Sequence, residues 1–281
     1  MDRELVLLSL ALLLGGPLSL LFGLWPSSHH RGFSSALSLE KLRWRQLWLP
    51  LLPAALALFA LLGWALYEPE NAEALPVSLL MVAGFFSVLW LRALCRALHR
   101  LFLKENVSLA GTVGLFRPAV IISQRLTLAL DPEALSAVQA HEVSHQRHKD
   151  PLRIWLAYLA TDLQWPSSSA KHRLLYWRFA LELARDDEAR SEGVDGAALA
   201  TAILTAARLT SDPKPALHAS LLGTGEALQY RIERLLAPLP EETTPPKNRW
   251  HWVLLLLALS TIILGAVFGE ELVRCLLAWL S

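Results

Sequence analysis

Four apolar runs, Leu5 to Trp25, Leu47 to Tyr67, Leu75 to Leu98 and Trp250 to Phe268, constrain this chain more than any other feature. Each is long enough for a bilayer core, which takes about 20 predominantly apolar residues. Composition agrees: 54% of residues are hydrophobic and only 18% charged, the balance of an integral membrane protein. Gly15, Gly16 and Pro17 kink the first run without preventing insertion. That run is expected to stay as a span, because Asp2, Arg3 and Glu4 are not a basic leader and no small-residue cleavage site follows.

The distribution of lysine and arginine predicts the topology. Arg31, Lys41, Arg43 and Arg45 follow the first run, and the acidic segment Glu68 to Ala74 follows the second. Arg92, Arg96, Arg100 and Lys104 come at or after the end of the third, and Lys247 and Arg249 precede the fourth. By the positive-inside rule both termini face outward and residues 102–249 face the cytoplasm. Trp25, Trp48, Trp90, Trp250 and Trp252 fall near the span ends, where indoles favour the interface. Ala54, Ala55 and Ala57 give the second span a surface for close helix contact. No basic stripe with interleaved aromatics suggests nucleic acid. Cys95 and Cys275 form no disulfide framework or metal cluster.

The resulting fold class is a mainly α membrane protein: four transmembrane helices with a cytoplasmic α+β domain inserted between the third and fourth. Residues 1–101 hold three spans and a basic cytoplasmic loop at 26–46, and residues 102–237 form the inserted domain. A proline-rich linker at 238–249 leads to the fourth span and a short tail at 250–281. Within the domain, Val107 to Ile122 reads as short strands broken at Gly111-Thr112 and Gly114. Such a strand can offer its edge to an extended peptide or simply belong to the core. A helix follows from Pro132 to about Lys149, with Asp131 as its cap and Glu133 at the positive end of its dipole. The apolar stretch Leu152 to Leu163 is too short to span. A serine among Ser167 to Ser169 caps a helix from about Ala170 to Ser191. Further helices run from Gly196 to Leu209, capped by Asp195, and from Glu226 to Leu236.

The helix beginning at Pro132 contains His141-Glu142-Val143-Ser144-His145. Histidines four residues apart project from one helical face and can hold a single metal ion with Glu142 alongside. Glu182 and Asp186 share a face of the next long helix in the same way. Two such helices side by side present two imidazoles and a carboxylate to one ion, with Asp186 behind to orient the ligands. Zinc is the natural metal for that set, one ion per chain, with an open position for water and Glu142 as general base. Asp187 and Glu188 do not share the face of Glu182. His148, among Gln146, Arg147, Lys149 and Asp150, reads as part of a solvated helix end. Tyr230, His218 and Arg231 are candidates to stabilise a transition state, each more readily explained as structural.

The runs Gly114-Leu115-Phe116-Arg117-Pro118-Ala119-Val120-Ile121-Ile122, Leu135-Ser136-Ala137-Val138-Gln139-Ala140-His141-Glu142-Val143-Ser144-His145 and Glu182-Leu183-Ala184-Arg185-Asp186 resemble the BlaR/MecR-type membrane metallopeptidases of bacteria. Arg231-Ile232-Glu233-Arg234-Leu235-Leu236 and the topology extend the resemblance over nearly the whole chain. It implies a multi-pass protein of the bacterial inner membrane with a gluzincin-like cytoplasmic zinc peptidase domain. His141, His145 and Glu182 would be the zinc ligands, Glu142 the catalytic base and Asp186 the partner behind Glu182. The implied partners are the lipid bilayer and a protein or peptide substrate of the transcriptional-repressor kind. Arg185 stands where the family has cysteine, a difference expected to leave the metal unaffected. Only Glu270 to Ser281 follow the fourth run, so the chain is expected to be a minimal member without the penicillin-binding sensor domain. The other readings are a membrane quality-control protease of the HtpX type and a non-catalytic membrane signalling or binding component.

Overall fold

The computed structural model describes residues 3–23, 35–67, 77–102, 109–210, 224–239 and 250–280. The expected interface residue Trp25, the acidic segment Glu68 to Ala74, the candidate His218 and most of the linker at 238–249 lie outside them. The architecture is mainly helical with one small sheet. Helices α1 (Arg3–Gly23), α2 (Ala36–Trp48), α3 (Leu52–Tyr67) and α4 (Val77–Phe102) come first. A hairpin follows, β1 (Ala110–Val113) and β2 (Ala119–Ile122), and then α5 (Gln124–Ala129). The remaining helices are α6 (Pro132–Arg147), α7 (Asp150–Leu163), α8 (Ser168–Ser191), α9 (Gly196–Leu209), α10 (Thr224–Leu236) and α11 (Trp250–Leu280).

Among the described residues, two helical stretches are long and apolar enough to cross a membrane: Ala36–Gly63, read through the 3-10 turn Leu49–Leu51, and Leu80–Leu101. Ser9–Ser19 and Val253–Phe268 are apolar helices of shorter length. α3 crosses α11 at glycines: a Cβ on Gly63 would lie 2.0 Å from the Ile262 carbonyl oxygen, and one on Gly265 would lie 1.9 Å from that of Ala60. The close contact expected at Ala54, Ala55 and Ala57 therefore has its tightest point further along the same helix. Ala54 itself is buried where α1 approaches.

Residues 36–46, expected within a basic loop, instead form most of α2. The helix has a cap, with the Ser35 hydroxyl accepting from the Ser38 amide, and it lies along α8. Its buried positions are Ala36, Glu40, Arg43 and Leu47, one helical stripe that happens to contain two charges. Glu40 accepts from the Trp177 indole at 2.8 Å and pairs with Arg153, so its charge is compensated where it is buried. Leu47 joins Ala157, Ala160, Leu174, Trp177 and Leu181 in one core cluster, with Trp44 and Trp48 packed against it.

The strands pair antiparallel with Val113 opposite Ala119 and Ala110 opposite Ile122. Gly114 turns the chain at φ +99°, a left-handed conformation that favours glycine. α5 is an addition to the sequence reading, a short helix capped by Ser123. The caps read from sequence are present: Asp131 accepts from the Ala134 amide at 2.7 Å, Ser167 from Ala170 at 3.4 Å and Asp195 from Ala198 at 2.9 Å. α6 packs against α8, α9 and both strands, so its apolar residues Ala134, Ala137 and Val138 enter two core clusters. Its next turns carry His141, Ser144 and His145 to buried positions. α6 stops at Arg147, and Lys149 takes a left-handed conformation at φ 53° before α7 starts at Asp150, with Pro151 in its first turn.

Candidate metal centre

His141 and His145 from α6 and Glu182 from α8 converge on one point. The two Nε2 atoms are 3.2 Å apart. Glu182 Oε2 is 3.6 Å from His141 Nε2, and Oε1 is 3.8 Å from His145 Nε2. Tetrahedral zinc with ligands at about 2.0–2.1 Å sets its donor atoms about 3.3–3.4 Å apart. The side chains are thus spaced to hold such an ion with little movement.

What lies behind the histidines also fits a metal. His145 Nδ1 donates to Asp150 Oδ2 at 2.9 Å, which turns Nε2 toward Glu182. His141 Nδ1 lies 3.0 Å from Asp186 Oδ1, close but off the line of a good hydrogen bond. Each imidazole therefore has a carboxylate at its back, the arrangement that fixes ring orientation and raises ligand basicity in metal sites. Asp150 is fully buried, held by Arg185 Nε at 2.6 Å and Arg153 Nη1 at 2.9 Å. It does not belong to a solvated helix end, as its polar neighbours in sequence suggested. Arg185 is equally buried and reaches His145 only by way of Asp150. Asp186 backs His141 directly and reaches Glu182 through Arg231 and through His141 itself.

Arg231 comes from α10 and closes the site. Its Nε and Nη2 each bond Asp186 at 2.9 Å, and Nη1 is 3.2 Å from Glu182 Oε2. Burial opposes its charge, but Asp186 and Glu182 raise its pKa further above the ordinary arginine value. The same contacts act in reverse: burial works against ionised Glu182, yet Arg231 and the two imidazoles hold its carboxyl well below the usual range. For the bare side chains, burial lowers the His141 pKa, but Asp186 and Glu182 outweigh it and push the value up to about 10. A metal ion bound there would have to displace that proton.

Glu142 sits beside the triad without joining it. The Thr112 hydroxyl on β1 lies 3.0 Å from its Oε2 and 2.8 Å from its backbone carbonyl, and with one proton it donates to one of them at a time. Gln146 of α6 donates to the Pro118 carbonyl at 2.8 Å, fixing the hairpin against the same helix. Glu188 is engaged elsewhere, by Ser144 at 2.7 Å and Arg185 at 2.6 Å, and Asp187 pairs with Arg234. His148 is partly exposed and bonds Glu188, consistent with a helix end. Tyr230 is exposed and packs near Phe179.

Thr112 and Asp150 were not assigned to the site from sequence, and Arg231, named there as a candidate to stabilise a transition state, clamps Asp186 and Glu182. The signal available for Asp150 was its position just beyond the second histidine, ahead of Pro151. Thr112, expected at a break between strands, instead lies within β1 and so reaches the helix. Comparison with protein-family models, curated proteins and solved structures finds no match.

Proposed function

We propose that this chain is an integral membrane zinc metalloendopeptidase. The observation that carries the reading is the convergence of His141 Nε2, His145 Nε2 and the Glu182 carboxylate, each imidazole backed by a buried carboxylate, with Glu142 next to them. Zinc bound there supplies a Lewis acid that polarises a carbonyl and lowers the pKa of a water molecule. Glu142 would serve as the base that takes a proton from the attacking water and passes it to the leaving amine. Thr112 holds the Glu142 carboxylate while it waits. Arg231 keeps Glu182 ionised and in place.

The membrane part of the reading is supported by side chains with nothing to bury them among the described residues. On α4, Val77, Met81, Phe85, Val88, Leu91 and Leu94 are exposed, and on α11 Leu256, Ile263, Leu264 and Val267 are. A soluble monomer does not leave so much contiguous apolar surface in water. With the arginine and lysine distribution, this favours four spans, both termini outward and the metal domain in the cytoplasm. The substrate class that follows is a cytosolic or membrane-proximal protein, of the repressor kind if the BlaR/MecR resemblance holds.

The test is metal analysis of detergent-purified protein beside proteolysis. Wild type and Glu142→Gln are expected to carry one zinc per chain and Glu182→Ala to carry none. Glu142→Gln should lose about 10²–10⁴-fold in cleavage while keeping its metal. No zinc in any of the proteins after zinc is supplied would overturn the reading in favour of a signalling scaffold. Broad cleavage of misfolded membrane proteins would favour quality control over a single regulatory cut.

A further inference from the structure

We infer that the face of α4 bearing Arg92 binds the phosphate of an anionic phospholipid headgroup. Arg92, Arg96 and Arg100 recur every four residues and share one side of the helix. α7 packs against that side: Trp155 donates to the Ala97 carbonyl at 2.9 Å, and Asp162 meets Arg96 at 3.3 Å and Arg100 at 2.5 Å. Two of the three guanidinium groups thus meet one carboxylate. Arg92 is the one left over. It stacks on Trp165, 4.5 Å from the ring centroid, and its buried Nη1 has no hydrogen-bond acceptor among the described residues. Arg92 as a whole is only half-buried, and a stacked, planar guanidinium is preorganised to hold a phosphate through the nitrogens that remain accessible.

Depth selects a lipid as the source of that phosphate, and this step rests on the membrane reading of α4. The apolar part of the helix, from Val77 to Leu91, rises about 22 Å at 1.5 Å per residue. That leaves Arg92 within about 8 Å of the far edge of a hydrocarbon core about 30 Å thick, a gap a snorkelling arginine spans. The flanking Leu91, Leu94 and Leu98 are exposed and offer a surface for the acyl chains, while Trp165 is of the type found at the headgroup level. A basic helix face on this side of the bilayer suits a phosphatidylglycerol-type headgroup, negatively charged and without a compensating amine.

The experiment is native mass spectrometry of the full chain in detergent, titrated separately with phosphatidylglycerol, phosphatidylcholine and inorganic phosphate. Phosphatidylglycerol should be retained at one per chain in preference to phosphatidylcholine. Arg92→Gln should weaken it about fivefold. Asp162→Asn, which frees Arg96 and Arg100, should tighten it, a direction that misfolding does not produce. Equal retention of the two lipids, unchanged binding in Arg92→Gln and Asp162→Asn together, or saturation by inorganic phosphate alone would each overturn the proposal. Alkaline carbonate extraction of membranes separates the two failures. A chain released by carbonate removes the membrane reading and this site with it, whereas a retained chain without lipid selectivity removes the site alone.

Discussion

At the level of single residues, the site is built so that each imidazole is oriented by a carboxylate that is itself held by arginine. Asp150 is held by Arg185 and Arg153, and Asp186 by Arg231. Asp150→Asn and Asp186→Asn are therefore expected to keep the three ligands but lower zinc affinity about 10–100-fold, measured by competition against a chromophoric chelator. The ionisation of the bare cluster gives a second prediction, for protein stripped of metal. His141 rises from 6.5 to about 10 on folding, so its contribution is fully present below pH 6.5 and is lost as pH climbs through about 10. Glu182 and Asp186 are lowered, despite burial, chiefly by Arg231, so theirs is present at neutral pH and lost on acidification below the usual carboxylate range. Thermal midpoints of chelated protein should fall from pH 6 to pH 10, and Asp186→Asn should flatten that slope. The ligands were legible because helical spacing alone aligns His141 with His145. Asp150 and Thr112 were not, because a turn between α6 and α7 and a strand pairing bring them in, and neither has a sequence period.

At the level of elements, capped helices were the most readable part of the chain. Asp131, Ser167 and Asp195 each mark a start with a side-chain oxygen that satisfies a first-turn amide, a local signal that tertiary packing does not override. α2 was misread because its buried stripe includes Glu40 and Arg43, so a hydrophobicity pattern reports a polar loop where partners exist to bury the charges. The partners come from α7 and α8, Arg153 and Trp177, more than a hundred residues away, and no local rule announces them. Glu40 is consequently a strong test of the fold. Glu40→Ala removes the acceptor of the Trp177 indole and leaves Arg153 with Asp150 alone, and should destabilise the protein by about 1–3 kcal/mol. Glu40→Gln, which can still accept from the Trp177 indole, should cost less. Denaturant unfolding of the two variants beside wild type gives the comparison, and equal stability of all three would mean that α2 does not dock as described.

At the level of the whole molecule, the first and last described helical regions are joined outside the metal domain, because α3 packs along α11 across nearly two hundred intervening residues. A contact between backbones depends on the absence of side chains: Gly63 faces Ile262, and Gly265 faces Ala60, at distances no Cβ tolerates. Gly265→Ala must therefore separate the helices or bend one of them, and overpacking of this kind costs about 1–3 kcal/mol. Gly84, within α4, provides the opposite case, since a Cβ there meets nothing within 4 Å. In a helix interior alanine is better than glycine by about 0.8–1.0 kcal/mol, so Gly84→Ala should be neutral or stabilising. The two substitutions are chemically identical and both fall in apolar helices, so general effects of detergent or helix propensity move them in the same direction. Only the α3–α11 crossing gives them opposite signs. Thermal unfolding of the full chain in one detergent is the measurement, with a lower midpoint expected for Gly265→Ala and an equal or higher one for Gly84→Ala. A Gly265→Ala midpoint at or above wild type would mean that the two helices do not meet there.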